Sequence, residues 1–271
     1  MTFESPGGSR LRARFDEAAE LYDRARPTYP DALFDDVVAL AGLRAGARIL
    51  EIGCGTGQAT LPLARRGFAV EAVELGAELA AVARRKLAGF PDVTVHIATF
   101  EEWALPAEPF DLVLAATSWH WVDPAVRFVK AAAALRPGGA LAVVDTRHIE
   151  GGTSAFFADV QAACYAVFMG DDATLRLPDS ASLAVETAGF VESGWFDPPA
   201  TRTYERDVPY ATAEYLDVLN TYSGHRDLPP EAHDGLLGCI ADLIDERFGG
   251  RIEKRYRNDL VVARRRGTPL G

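Results

Sequence analysis

The chain has 271 residues, 48% of them hydrophobic, and a formal net charge of −11 at pH 7. That length and composition suit one large globular domain, or a domain with an added lobe. The acidic balance argues against unspecific attachment to nucleic acid or anionic lipid, since both would repel it, and no apolar run approaches the roughly 18 residues that cross a bilayer.

The opening stretch MTFESPGGSRLRARFDE lacks the apolar centre of a secretion signal, so a cytoplasmic protein is expected. Cys54, Cys164 and Cys239 are odd in number and far apart, with no CxxC pair. Reduced, separate thiols are expected, without a disulfide frame or a zinc site. No cluster of His, Asp and Glu has metal-ligand spacing either, so no metal is expected.

The chain shows no internal repeat. Residues 12–23, RARFDEAAELYD, place Phe15, Ala18, Ala19 and Tyr22 at helical spacing. RPTYP (26–30) breaks that helix, and Asp31 is expected to cap a second one running to about Leu43. Short β-rich runs then alternate with helical segments. The runs are Arg48–Ile52, Ala69–Glu74, Val93–Ala98, Asp111–Ala115 and Ala140–Asp145; the helices fall near 57–66, 76–88 and 124–135. Nearly all-apolar strands in βα alternation predict a parallel sheet covered on both faces. RPGG (136–139) is expected to stop the last helix and turn into the fifth strand.

Beyond residue 150 the pattern changes. GFVESGWFDPPATRTYERDVPY is expected as strands with a Pro-Pro turn, followed by helices near 211–222 and 231–248. RIEKRYRNDLVVARRR is expected as a last strand pair or one long strand, its basic residues on a solvated face. The expectation is an α/β protein: a Rossmann-like, mostly parallel seven-stranded sheet with helices on both faces and a mostly helical lid. Residues 1–45 would supply N-terminal helices and 46–150 the nucleotide-binding core. Residues 151–271 would supply lid insertions (about 151–176 and 205–249) with the remaining helix and strands. A lid at the carboxyl ends of the strands would stand where open α/β sheets bind ligands.

The sequence ARILEIGCGTGQAT runs from strand through a glycine turn into helix. A phosphate-cradling loop needs Lys-Ser/Thr after its glycines, and Gln58-Ala59 stand there instead. A dinucleotide fingerprint needs a third glycine where Gln58 or Thr60 is found. What remains is E-x-G-x-G-x-G, made by Glu51, Gly53, Gly55 and Gly57. Glycine there admits close approach of a ligand and a positive φ.

This spacing resembles motif I of the class I S-adenosylmethionine (SAM)-dependent methyltransferases, and further matches run in order from about 47 to 145. Glu74 ends the second strand, where the resemblance implies a carboxylate accepting both ribose hydroxyls; Leu75 follows it. Thr99 and Phe100 occupy the stretch that meets the adenine, with Thr99 standing where an aspartate is common. Glu101, next along, is the alternative. Phe110-Asp111 opens the fourth strand, and Ala115 near its end completes the implied cofactor set. SAM, leaving as S-adenosylhomocysteine, is the cofactor implied.

Strand four leads into ATSWHWVDP, with no Asn/Asp-Pro-Pro-Tyr/Phe motif of nucleic-acid amino-methyltransferases. The Trp-His-Trp run, with FDEAAELYDRARPTYP upstream, is similar to a small-molecule branch that includes the trans-aconitate methyltransferases. That likeness implies a small organic acceptor methylated at O, N or carboxylate oxygen, with neither nucleic acid nor membrane as partner. It lets Tyr22 and Arg26 close over SAM, unless RPTYP is only a helix stop. His120 either holds an anionic substrate, removes a proton, or merely shapes the pocket. Trp119 and Trp121 are expected beside the acceptor, one toward ligand and one toward core. Tyr222, His225 and Arg226 in TYSGHRDLPP are further substrate contacts, or else a solvated loop. Two rival readings remain: a SAM-binding sensor without chemistry, and an NAD-dependent reductase. Neither the acceptor nor the choice between monomer and homodimer follows from the residues.

Overall fold

The computed structural model describes residues 18–170 and 177–267. The chain divides into two units. A sheet unit takes residues 28–146, 185–204 and 258–271; a helical unit takes 1–27, 147–184 and 205–257.

In chain order the elements are α1 (Ala19–Ala25), α2 (Asp31–Ala41), β1 (Arg48–Ile52), α3 (Thr60–Arg65), β2 (Ala69–Glu74), α4 (Ala77–Leu87), β3 (Val93–Ile97), β4 (Phe110–Ala116), α5 (Arg127–Ala134) and β5 (Leu135–His148). Then follow α6 (Ser154–Val160), one π turn (Gln161–Tyr165), α7 (Ala166–Phe168), α8 (Ala188–Glu192), β6 (Ala200–Ala211), α9 (Thr212–Leu219), α10 (Ser223–Arg226), α11 (Pro230–Phe248) and β7 (Arg251–Arg264). The seven strands form one sheet in the order β3-β2-β1-β4-β5-β7-β6. The pairs β1–β2, β1–β4, β2–β3 and β4–β5 are parallel. The order reverses beside β1, at the glycine turn.

The apolar strands are buried on both faces. In β4, Val113 and Ala115 join the cluster of Leu50, Phe110 and Phe128, while Leu112 and Leu114 join the opposite one with Ile49, Leu33 and Phe34. Such two-sided burial is why β4 reads as a continuous apolar run. The helical unit has its own core, around Phe156, Tyr215, Leu236, Ile240 and Tyr256.

Several expectations need correction. Residues 12–17, Phe15 among them, lie outside the described residues. Asp31 is the first helical residue of α2, after an N-cap at Pro30, and Gly42 ends the helix at φ 61°. The RPGG segment loops out inside the β5 ladder: Leu135 pairs with Phe110 and Ala140 with Leu112. Asp111 ties that loop down, accepting from Arg136 Nε at 2.5 Å and from the Arg48 backbone at 2.9 Å. GFVE lies in helix α8, not in a strand. Cys164 and Cys239 are joined in a disulfide with Cα atoms 5.8 Å apart, leaving Cys54 as the free, buried thiol. Helical packing in the π turn and α11 brings them together across 75 residues, a proximity that spacing does not encode. Finally, β7 is one long strand and its face is not solvated: Lys254, Arg257, Asn258 and Asp259 are buried.

Candidate cofactor site

The sheet unit assembles its site at the carboxyl ends of β1, β2, β3 and β4. Gly53, Gly55 and Gly57 have φ of 67°, 56° and 84°, left-handed values that side chains resist. At Gly53 a Cβ would also stand 2.6 Å from that of Ser118, whose hydroxyl donates to the Ile52 carbonyl. Gly53 is therefore bare to let the loop after β4 pack against β1, a reason internal to the fold.

Glu74 binds two turns together. One carboxylate oxygen accepts from Gly55 N and the other from Gly76 N, both at 2.8 Å. Glu51 is 1% exposed, and its Oε2 has no hydrogen-bond partner among the described residues. Burial, aided by the Glu74 charge, pushes its carboxyl up to about 7. The buried Thr60 hydroxyl next to Glu51 opposes that rise, and Gln58 Nε2 is likewise buried and unpartnered. Two unmet polar atoms on one turn are unusual, because buried polar groups are normally satisfied. They suit a polar ligand seated against the turn. Leu75 and Ile97, following or ending the neighbouring strands β2 and β3, are 44% and 48% exposed and offer apolar surface on the same edge. The Cys54 thiol is pushed well up by burial and is no nucleophile here.

The remaining predicted residues divide. Thr99 Oγ1 already accepts from Glu102 N at 3.1 Å, closing the turn after β3. Phe100 is buried in the core with Lys130 Nζ 5.4 Å from its ring centroid, so only its backbone is left for a ligand. Glu101 accepts from Asp123 N. Ala115 is fully buried within β4. Trp119 packs edge-on against Phe128 at 5.2 Å and belongs to the core, which removes it from the acceptor contacts. His120 is exposed on the 3-10 turn Trp119–Trp121, its ring 4.8 Å from that of half-buried Trp121.

Two features went unnoticed in the sequence. Thr117 takes φ 59°, rare for a β-branched residue and a common mark of functional sites. Its hydroxyl joins a chain from Tyr29 (2.9 Å) through Thr146 (3.0 Å) to Asn258 Nδ2, which meets Thr146 at 2.8 Å. The only local signal was Tyr29 in RPTYP, read as a helix stop.

Tyr22, Arg26, Tyr222, His225 and Arg226 all fall in the helical unit. Arg26 lies 4.5 Å from the Tyr222 ring centroid and 5.1 Å from that of Tyr22, donating to the Thr221 carbonyl at 3.2 Å. His225 Nε2 shares a 2.9 Å hydrogen bond with Tyr165, and burial next to Lys254 and His233 holds its pKa down at about 4. It is neutral at pH 7, so it contributes hydrogen bonding and not charge. Arg226 is half-buried, its backbone N–H bonded to the Tyr222 carbonyl. Among the described residues no helix is long and apolar enough to cross a membrane, and no group of three or more His, Cys, Asp or Glu could hold a metal ion.

Residues 49–139 match the family described as "Methyltransferase domain". The glycine turn, Glu74 and the loop after β4 all lie inside that span. This segment is similar to a methyltransferase domain. An uncharacterized methyltransferase of Mycobacterium bovis is 39% identical over 130 residues, 48% of this chain and 51% of the relative. The chain thus spans about half the length of these curated relatives. A candidate type II methyltransferase from Anaeromyxobacter dehalogenans is 27% identical with a TM-score of 0.58, over 90% of this chain and 99% of that one. Haemonchus contortus phosphoethanolamine N-methyltransferase 2, solved with S-adenosylhomocysteine, shares the fold at 16% identity and a TM-score of 0.53, covering 93% of this chain and 57% of that one.

Proposed function

We propose that this chain is a SAM-dependent methyltransferase that methylates a small organic molecule at O, N or carboxylate oxygen. The carrying observation is the turn from Glu51 to Thr60, with three left-handed glycines and the unpartnered buried atoms Glu51 Oε2 and Gln58 Nε2, inside a segment similar to a methyltransferase domain. Bound SAM would supply a methyl group already activated by a positively charged sulfur.

The chain's own part is to bind, orient and exclude water. Glu51 Oε2 is the acceptor offered to the methionyl ammonium. Each Glu74 oxygen keeps lone-pair capacity beyond its backbone bond, and the pair is offered to the ribose hydroxyls. Leu75 offers apolar surface to the adenine, with Thr99 and the Phe100 backbone as its polar edge. His120, exposed after β4, is the group available to accept a proton from a hydroxyl or amine acceptor. A carboxylate acceptor needs no base.

Calorimetric titration with SAM tests the binding, paired with Gly55→Arg. Wild-type binding and its loss in a folded Gly55→Arg variant are expected; retained affinity would remove the site. Incubation with methyl-labelled SAM and a small-molecule library then reads transfer. Binding without any product heavier by one methylene would make the chain a SAM sensor.

A further inference from the structure

The sheet unit carries a second cleft, at the other end of its strands from the glycine turn. It encloses about 590 Å³ and is lined by Arg44, Arg136, Arg264 and Asp111, together with bare backbone at Gly46 and Gly138. All six residues belong to the sheet unit. Ala47, also on its wall, precedes the first residue of β1, and Asp111 is the second residue of β4. The glycine turn follows the last residue of β1, five residues further on. A strand of that length spans roughly 17 Å, so the cleft and the cofactor site are separate places.

The charge of this cleft is unbalanced. Elsewhere in the sheet unit guanidinium groups meet carboxylates: Arg48 meets Glu71, Arg66 meets Asp35 and Arg266 meets Asp197. Two of the three arginines in the cleft do not. Arg44 is exposed, and among the described residues its side chain makes neither an ion pair nor a hydrogen bond. Arg264 donates to carbonyls alone, those of Leu40 at 3.0 Å and of Ala41 and Gly138 at 3.3 Å. Those bonds fix its fork in place without neutralising it. Arg136 is paired with Asp111, whose other oxygen accepts from the Arg48 backbone. Three guanidinium groups thus face one carboxylate that is already engaged, in a chain whose net charge is −11. The glycines keep the cleft open: a Cβ at Gly46 would meet nothing within 4 Å, and one at Gly138 only Arg136 Nη1 at 3.9 Å.

We infer that this cleft binds a small diphosphate or polyphosphate group, with Arg44 and Arg264 as the two arms that hold it. Free pyrophosphate and a nucleoside di- or triphosphate share that chemistry. The guanidinium fork matches phosphate oxygens in pairs, and such charge-assisted bonds are the stronger ones. Two uncompensated cations call for an anion with at least two charges, which a single carboxylate does not supply. The volume lies within the roughly 300–1,000 Å³ of small-molecule sites. A long nucleic acid is disfavoured, because the acidic remainder of the chain repels it beyond the cleft. The inference stands on these residues and not on the methyltransferase reading.

The test titrates the full chain by calorimetry with pyrophosphate, ATP, orthophosphate and citrate, at about 150 mM salt so that distant charges are screened. Wild type is expected to bind pyrophosphate or ATP at least tenfold tighter than orthophosphate or citrate. Tighter ATP would name a nucleotide as the source, and tighter pyrophosphate the free anion; both support the site. Arg44→Glu should weaken binding at least tenfold while the melting temperature and SAM affinity stay unchanged, because no contact in the fold depends on that side chain. Arg44→Lys should lose less than Arg44→Glu. Absence of phosphate binding in wild type would overturn the inference, as would affinity unchanged in Arg44→Glu. Citrate binding as tightly as pyrophosphate would reduce the cleft to an unselective basic surface, against the proposal. Displacement of bound ATP by SAM would move the ligand to the glycine turn and overturn it as well. A short single-stranded RNA that binds where pyrophosphate does not would assign the arginines to a polyanion, again against the proposal.

Discussion

The glycine turn of the sheet unit and the aromatic cage around Lys254 in the helical unit carry the same physical mark. Each keeps a buried polar atom without a partner, Glu51 Oε2 in the one and Arg26 Nε in the other. They differ in how the chain brings them together. The turn collects Glu51 and Gln58 from eight consecutive residues. The cage collects Arg26, His148, Phe157, Tyr215, Tyr222, Lys254 and Tyr256 from across the whole sequence. Only the first is written as a motif.

The sharpest way to break this comparison is to loosen the helical unit. The Cys164–Cys239 bond closes a loop of 75 residues, for which chain entropy predicts a contribution of about 4 kcal/mol. Reduction, or Cys239→Ser, should lower stability toward denaturant by up to that amount. Thiol titration in denaturant should count one thiol before reduction and three after. Three thiols without reductant would restore the expectation of separate cysteines.

Glu51 tests the turn through pH. The unfolded carboxyl ionises near 4.5 and the folded one near 7, so the folded state binds the extra proton between those values. The contribution of this group is most favourable below pH 4.5 and weakens as pH rises through 7, by about 3 kcal/mol in all. Glu51→Gln should flatten that slope in urea unfolding measured from pH 4 to 8. If a ligand ammonium pairs with Glu51, SAM binding near pH 6.5 should also release protons, read by calorimetry in buffers of different ionisation enthalpy. A wild-type curve already flat across this range would deny the raised pKa.

A comparable effect is expected from Glu74→Ala. Bonds to a charged group are worth about 1.5–3 kcal/mol each, and two hold the turns at Gly55 and Gly76. SAM affinity should drop at least tenfold, with some loss of stability; a titration curve overlying wild type would take Glu74 out of the site. Smallest in stability is His120→Ala. As an exposed residue it should shift unfolding by no more than about 0.5 kcal/mol, while turnover falls and SAM affinity holds. Loss of SAM affinity instead would make it a cofactor residue.

Much of the sheet unit was legible. Arg48–Ile52 and Ala69–Glu74 are strands over those same residues, because an apolar run bounded by glycine or a helix stop has few alternatives. Less was legible in the site. Gly53 was read as making room for a ligand, yet its missing Cβ makes room for Ser118, 65 residues on. Trp119 and His120 are adjacent, yet one packs into the core and the other faces solvent. Which side a residue takes on a 3-10 turn depends on what packs beneath it, here Phe128. GFVE was misread because its four residues carry too little periodicity to tell helix from strand.

By itself the sequence determined the βα order, the parallel sheet, the positive-φ turn and the acid ending β2, since each rests on neighbours along the chain and on local backbone sterics. The tertiary structure alone decided the disulfide, the hydroxyl chain from Tyr29 to Asn258 and the burial of Lys254. The C-terminal basic run looked like a solvated face, and it became an interior strand between β5 and β6. Burial and charge pairing depend on which distant segments meet, and no local pattern records that meeting.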